Sequence, residues 1–116
     1  MNTNTEFSYL YRDAANYKKA GTLIFPGLPV GGLERFGVAL KAQFDEASYF
    51  IAGQVSVPEV FLWQGGYPVG EDDHCWHEFA GVSETELAAT DPRTPEEFLA
   101  EVTAAATAGW REFNPA

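Results

Sequence analysis

Both histidines and the single cysteine of this chain stand in one octet, Glu71-Asp72-Asp73-His74-Cys75-Trp76-His77-Glu78. These side chains are of the types that ligate metals and move protons. Spacing decides what they can do. On a helix His74 and His77 would share a face; on a strand they point to opposite sides. Asp73 to Val82 (DHCWHEFAGV) reads as a strand, with Asp73, Cys75, His77 and Phe79 on one face and His74, Trp76 and Glu78 on the other. Neither set makes a tight metal site, and no second Cys or His pair completes a structural zinc centre. A metal-assisted enzyme using His74, His77 and Asp73 therefore stands only as an alternative, with no metal, cofactor or catalytic residue assigned. The plainer reading is a histidine that hydrogen-bonds a neighbouring carboxylate and steadies an edge strand. No G-x-S-x-G nucleophile elbow occurs, and Cys75 two strand positions from His77 does not by itself supply a nucleophile and base. Paired-carboxylate hydrolysis has acids in abundance but no defined site.

A second cluster runs from Tyr9 to Lys19, with Tyr9, Tyr11, Tyr17, Arg12, Asn16, Lys18 and Lys19. Tyrosine faces stack on bases or rings, and Arg and Lys meet phosphate or carboxylate. Such a set suits a nucleotide-like anion, or else a strand with core tyrosines and a solvated loop. Gly27 to Gly32 (GLPVGG) precedes a helix start, where backbone N–H groups can bind phosphate. It lacks the GK[ST] ending of a P-loop and any G-x-G-x-x-G, so a flexible helix entry is the better reading.

The elements that must position these residues follow from periodicity. Phe7, Tyr9 and Tyr11 alternate with Ser8, Leu10 and Arg12, as a strand over 7–12 requires. Asp13 to Ala20 reads as a connection and Gly21 to Phe25 as a second strand. Leu33, Phe36, Leu40 and Phe44 mark one face of a helix. Ser48 to Val57 reads as a strand, with Gly53 a bulge or bend and Pro58 its end. Glu59 to Gly70, with Phe61, Leu62, Trp63 and Tyr67, reads as a turn or short helix entering an aromatic-packed loop, and Ser83 to Pro92 as an acidic connection. Thr94-Pro95-Glu96-Glu97 spells a capping box, followed by a buried stripe of Phe98, Val102, Ala105 and Ala106. Gly109 falls at the left-handed C′ position and Trp110 at C″, folding back onto Ala105. The expected fold is α+β, a small antiparallel sheet with two helices on one face in the order ββαββα, one domain over residues 1–116.

Composition bounds the partners. The chain has 116 residues, 46% hydrophobic and 15% aromatic, enough for a core without disulfides or a structural metal. The opening MNTNTEF has neither a basic n-region nor an apolar h-region, and the apolar runs are too short to span a bilayer, so a cytoplasmic protein is expected. The net charge of −10 is unevenly spread: residues 1–58 carry five basic and five acidic side chains, and residues 59–116 carry two and twelve. Direct binding to nucleic acid or to an anionic membrane is therefore disfavoured. The acidic half reads either as a solvated surface or as a binding face.

Three segments, FSYLYRDAANYK (7–18), FIAGQVSVPEVF (50–61) and EDDHCWHEF (71–79), resemble segments of small acidic uncharacterised proteins of bacteria and phages. The resemblance transfers no activity. It implies that the three segments belong together, with Arg12, Asp13, Asn16, Tyr17, Gln54, Asp73, His74, Trp76, His77 and Glu78 in a shared pocket. By analogy the phage setting suggests counter-defence, by sequestering a nucleotide signal or blocking a host protein. The leading expectation is thus a non-enzymatic binder of a small nucleotide-class anion. Arg12, Lys18 and His77 would meet charge, Tyr17 and Trp76 would stack, and Asp13, Asn16, Gln54, His74 and Glu78 would complete the site. The alternative is an acidic inhibitor whose Asp72, Asp73, Glu84, Glu86, Glu96, Glu97 and Glu101 occupy a basic, nucleic-acid-binding surface of a partner protein. A homo-oligomer is compatible with either.

Overall fold

The computed structural model describes residues 3–65 and 68–115. The chain is α+β, with a four-stranded antiparallel sheet and two α-helices. In chain order these are β1 (Asn4–Arg12), β2 (Lys18–Phe25), α1 (Leu33–Gln43), β3 (Tyr49–Phe50), β4 (His77–Thr85) and α2 (Pro95–Ala108). The sheet order is β2-β1-β4-β3.

The alternation in β1 makes it the central strand. Phe7, Tyr9 and Tyr11 are buried, and Ser8, Leu10 and Arg12 are only half-buried. A tight turn joins β1 to β2: the Asp13 N–H donates to Tyr17 O at 3.0 Å, and Asn16 takes a φ of 71°. Asn tolerates that left-handed conformation better than most residues. The second strand therefore starts at Lys18, earlier than its apolar residues suggest. On its other side β1 pairs with β4, Phe7 opposite Val82 and Tyr9 opposite Phe79, with Ala80 left over as a bulge beside Gly81.

Both helices contribute to one core. Phe36 and Leu40 of α1, Phe44 just past its end, and Phe98, Val102 and Ala105 of α2 join Phe7, Tyr9, Leu23, Phe25 and Phe50. The capping box of α2 forms as its sequence predicts: the Glu97 N–H donates to Thr94 Oγ1 at 3.1 Å and the Thr94 N–H to Glu97 Oε1 at 2.9 Å. Gly109 has a positive φ, 98°, but its ψ of 131° departs from the expected left-handed conformation. Trp110 packs on the core, and its indole N–H donates to Gln43 O at 3.1 Å, which ties the end of α2 to the end of α1.

Two segments depart from the strands their sequences suggest. The run over 48–57 is a strand only at Tyr49–Phe50; Ala52–Val55 is a 3-10 turn, Ser56 is left-handed at φ 53°, and Gly53 sits exposed in the turn rather than at a bulge. Phe50, Ile51, Ala52, Val55 and Val57 are all buried, so no period existed to separate strand from turn. Arg93 locks this turn, donating to Val55 O at 2.7 Å and Ser56 O at 3.0 Å. The other departure is β4, which begins at His77, not Asp73, and runs on to Thr85. The donors before it go elsewhere: the Asp73 N–H to Gly70 O, the His74 N–H to Tyr11 Oη and the Trp76 N–H to His74 Nδ1. Side-chain acceptors have displaced the ladder there. Between these segments Leu62–Gly65 forms the expected short helix, a 3-10 turn, with Phe61 stacked on Trp63 at 4.1 Å. Tyr67 lies outside the described residues.

No helix among the described residues is long and apolar enough to cross a membrane.

Candidate functional site

Alternation along the strands sorts the polar residues onto two sides. His77 follows the core side of β4 and is fully buried. Its ring sits among Phe61 at 4.6 Å, Tyr11 at 5.9 Å, and Tyr9 and Phe50 at 6.1 Å. Nε2 accepts the Val60 N–H at 3.0 Å, and Nδ1 has no hydrogen-bond partner among the described residues. Burial, with a smaller contribution from nearby His74, pushes the pKa down to about 4. His77 lines neither of the clefts that hold the other candidate residues.

Tyr11 links the two histidines. Its ring lies 5.1 Å from His74 and 5.9 Å from His77. Its hydroxyl donates to Asp73 Oδ1 at 2.6 Å and accepts from the His74 N–H at 3.1 Å. Burial first, then the bond to Asp73, raise the phenol pKa well above its usual value. Asp73 also accepts the Gly70 N–H at 2.8 Å. His74 donates from Nε2 to Arg12 O at 2.7 Å and accepts the Trp76 N–H on Nδ1 at 3.0 Å. Both of its nitrogens are committed to backbone. His74, His77 and Asp73 thus each serve separate internal bonds, and no three His, Cys, Asp or Glu residues among those described are grouped to hold a metal ion. Cys75 is buried, with Sγ 3.4 Å from the Phe113 N–H.

The other side of the sheet opens into a cleft of about 360 Å³. Arg12 leaves β1 here, Glu78 leaves β4 and Tyr49 leaves β3, each alternating with a buried neighbour. His74, Trp76, Asp13, Asp45 and Glu46 also line it. Arg12 is held by Glu78 through Nε at 3.2 Å and Nη2 at 3.3 Å, and by Asn16 through Nη1. Trp76 donates its indole N–H to Glu112 at 2.9 Å. Four carboxylates, one guanidinium already paired, and two aromatic rings make this cleft a place for positive charge.

Arg12, Asp13, His74, Trp76 and Glu78 therefore line one cleft, drawn from the segments 7–18 and 71–79, while no residue of 50–61 lines it. Tyr17 and Lys18 do not join them. They line a second cleft of about 820 Å³ with Lys19, Leu62, Trp63, Pro68 and the acids Glu71, Asp72 and Asp73, and only Asp13 borders both. Gln54 lines neither; it bonds Gly109 O at 3.3 Å and the Arg111 N–H at 2.6 Å. Asp45, Glu46 and Tyr49 went unseen in the sequence, because they reach the cleft only through the turn after α1, where Glu46 and Ala47 take positive φ.

The acidic residues of the second half are spread over several jobs. Glu97 closes the capping box, Glu96 accepts the Val30 N–H at 2.9 Å, and Glu101 pairs with Arg93 at 2.8 Å. Glu84 and Glu86 are exposed on and after β4. Asp72 accepts the Ala14 N–H through its backbone carbonyl.

Comparison with protein families, with curated proteins and with solved structures finds no match to this chain.

Proposed function

We propose that this chain is a non-enzymatic acidic binding protein that takes a lysine or arginine side chain of a basic protein partner into the cleft between Arg12 and Trp76. The observation that carries this reading is the cleft's make-up: Asp13, Asp45, Glu46 and Glu78 beside Tyr49 and Trp76, with Arg12 already neutralised by Glu78. Carboxylates draw the cation in, and the ring faces hold it once water is shed. An inhibitor that occupies a nucleic-acid-binding surface, in counter-defence or elsewhere, is the biological form this takes.

The test uses a deca-arginine peptide and titration calorimetry. The variant Asp45→Asn with Glu46→Gln is expected to weaken binding by about tenfold. An equal charge loss through Glu84→Gln with Glu86→Gln is expected to cost less than about twofold, the scale of screened remote charges. Equal losses in the two variants would show binding by net charge alone and remove the reading.

The second cleft favours a second reading. Lys18 and Lys19 there stand beside Tyr17 and Trp63, so a nucleotide-class anion would find cations and rings together, although Glu71 and Asp72 oppose it. Titration with ATP, read by tryptophan fluorescence, tests this; silence at millimolar ATP ends it.

A further inference from the structure

The outer edge of β4 is only partly covered. β3 pairs with it at His77 and Glu78 alone, and the Phe79 N–H donates to Ser48 O at 2.7 Å. From Ala80 to Thr85 no strand among the described residues lies on that side. Hydrogen bonding elsewhere in the sheet fixes which groups face outward. Ile24 donates its N–H to Thr90 Oγ1 at 2.9 Å, and its carbonyl accepts the Thr90 N–H at 2.9 Å, so Ile24 turns away from β1. Glu6, opposite Ile24, must then bond to β4, and by alternation Ser83 and Gly81 bond to β1. Val82 and Glu84 therefore turn N–H and C=O toward the open edge.

α1 forms a second wall along this edge. A Cβ built on Gly37 would stand 3.5 Å from Val82 Cγ2, so helix and strand are in close contact at their base. Above the contact is a groove of about 540 Å³ lined by Leu33, Gly37, Val38, Lys41, Phe79 and Val82. Val38 is 63% exposed, an aliphatic side chain left in water on the helix wall.

We propose that this groove binds an extended peptide segment of a partner protein, which adds to the sheet antiparallel to β4 and ends in a carboxylate on Lys41. Unpaired strand N–H and C=O groups select an extended backbone over a helix. Charge sets the direction. α1 ends where β4 begins, with the Phe44 ring 5.4 Å from Phe79, so Lys41 stands at the Phe79 end and Glu34 at the Val82 end. Neither takes part in a salt bridge among the described residues. A strand antiparallel to β4 starts near Glu34 and finishes near Lys41, which suits a basic residue at its start and a carboxylate at its end. Ser48, already bonded to Phe79, closes the edge at that point, so the segment must terminate there. Aliphatic side chains on alternate positions would cover Val38 and Val82. This site is separate from the acidic cleft and stands or falls without it.

The probe is N-acetyl-Arg-Thr-Val-Thr-Val with a free C-terminal carboxylate, followed by titration calorimetry and by amide NMR of the full chain. Saturable binding that shifts the Val82 and Glu84 amides is expected. Amidation of the peptide terminus, or Lys41→Met, is expected to weaken it about three- to fivefold, the scale of an exposed ion pair. N-methylation of the peptide amides that face β4 is expected to abolish it, as is Val38→Asp in a variant whose circular dichroism is unchanged. No saturable binding at millimolar peptide, or binding indifferent to N-methylation, overturns the proposal. Concentration-dependent dimerisation through the same edge overturns it in favour of a second copy of the chain.

Discussion

The Val60 N–H donates to Nε2 of His77 at 3.0 Å, and this bond fixes the buried ring as the neutral Nδ1–H form. A protonated ring would set one N–H against another, with the rings of Tyr9, Tyr11, Phe50 and Phe61 around it.

The pH dependence follows with a definite sign. Burial lowers the folded pKa of His77 to about 4 from the 6.5 of an unperturbed histidine, so the unfolded chain binds the extra proton between those values. The stability it contributes is complete above pH 6.5, is lost as pH falls toward 4, and is constant below that. The loss is about 3 kcal/mol at most. Denaturant melts at intervals from pH 7.5 to 4 are expected to show the decline, and His77→Gln, which keeps an acceptor for Val60 without titrating, is expected to flatten it. Asp91 adds a second phase at lower pH: the Arg93 hydrogen bonds hold its carboxyl below the usual range, so its contribution disappears as pH falls through that lowered value. An unchanged melting profile down to pH 4.5 would show that His77 is solvated.

The face that buries His77 is legible in the sequence. Alternation sets Asp73, Cys75, His77 and Phe79 against His74, Trp76 and Glu78; Cys75 and His77 are buried and the second set lines the acidic cleft, whereas Asp73, ahead of β4, lines the other cleft. Thr94 to Glu97 was equally legible, because a capping box is written in adjacent side chains. What local sequence leaves out is convergence. Asp45, Glu46 and Tyr49 meet Arg12 because β3 lies beside β4, a pairing of only two residues. In the run from Phe50 to Val57 the buried residues Phe50, Ile51, Ala52, Val55 and Val57 follow no strand or helix spacing, so its apolar pattern carries no period. Arg93 directly follows the stretch over 83–92 that reads as an acidic connection, and nothing local signals that it bonds the Val55 and Ser56 carbonyls.

Gly21 lies directly opposite Tyr9 across the β1–β2 pair, and the Tyr9 ring covers it. A Cβ at Gly21 would stand 2.6 Å from Tyr9 Cζ and 2.8 Å from its hydroxyl oxygen. That hydroxyl donates to Pro58 O at 2.6 Å, and burial pushes its pKa up to about 12. Gly21→Ala is therefore expected to destabilise by about 1–3 kcal/mol through overpacking, despite the better strand propensity of alanine. Gly21→Ala combined with Tyr9→Leu should recover part of that loss. Chemical denaturation of the single and double variants measures the coupling.

Arg93 uses all three guanidine nitrogens. It grips Asp91 through Nε at 3.0 Å and Nη2 at 2.7 Å, Glu101 and Val55 O through Nη1, and Ser56 O through Nη2. Its Cζ also lies 5.0 Å from the centre of the Phe98 ring. Arg93→Lys keeps the charge but loses the planar fork, so Asp91 and the Val55–Ser56 carbonyls cannot all be served. A loss of about 2–3 kcal/mol is expected. Amide exchange should show it first at 52–57, the turn Arg93 locks. A variant as stable as the parent would mean that the fork contributes only surface pairing.

Arg12 separates the cation-binding reading of the acidic cleft from an anion-binding one. Its guanidinium is the one permanent positive charge among the described residues lining that cleft, and it is spent on Glu78 and Asn16. Arg12→Gln removes the positive charge and leaves Glu78 uncompensated beside Asp13, Asp45 and Glu46. If the cleft takes a basic side chain, deca-arginine should bind the variant about two- to fivefold more tightly at low salt, and the gain should shrink as ionic strength rises. Glu78→Gln should move affinity the opposite way. If the cleft takes an anion, Arg12→Gln should weaken binding instead, because the permanent cation lining it is gone. Calorimetry with deca-arginine and with ATP, on both variants at two salt concentrations, gives opposite signs for the two cases.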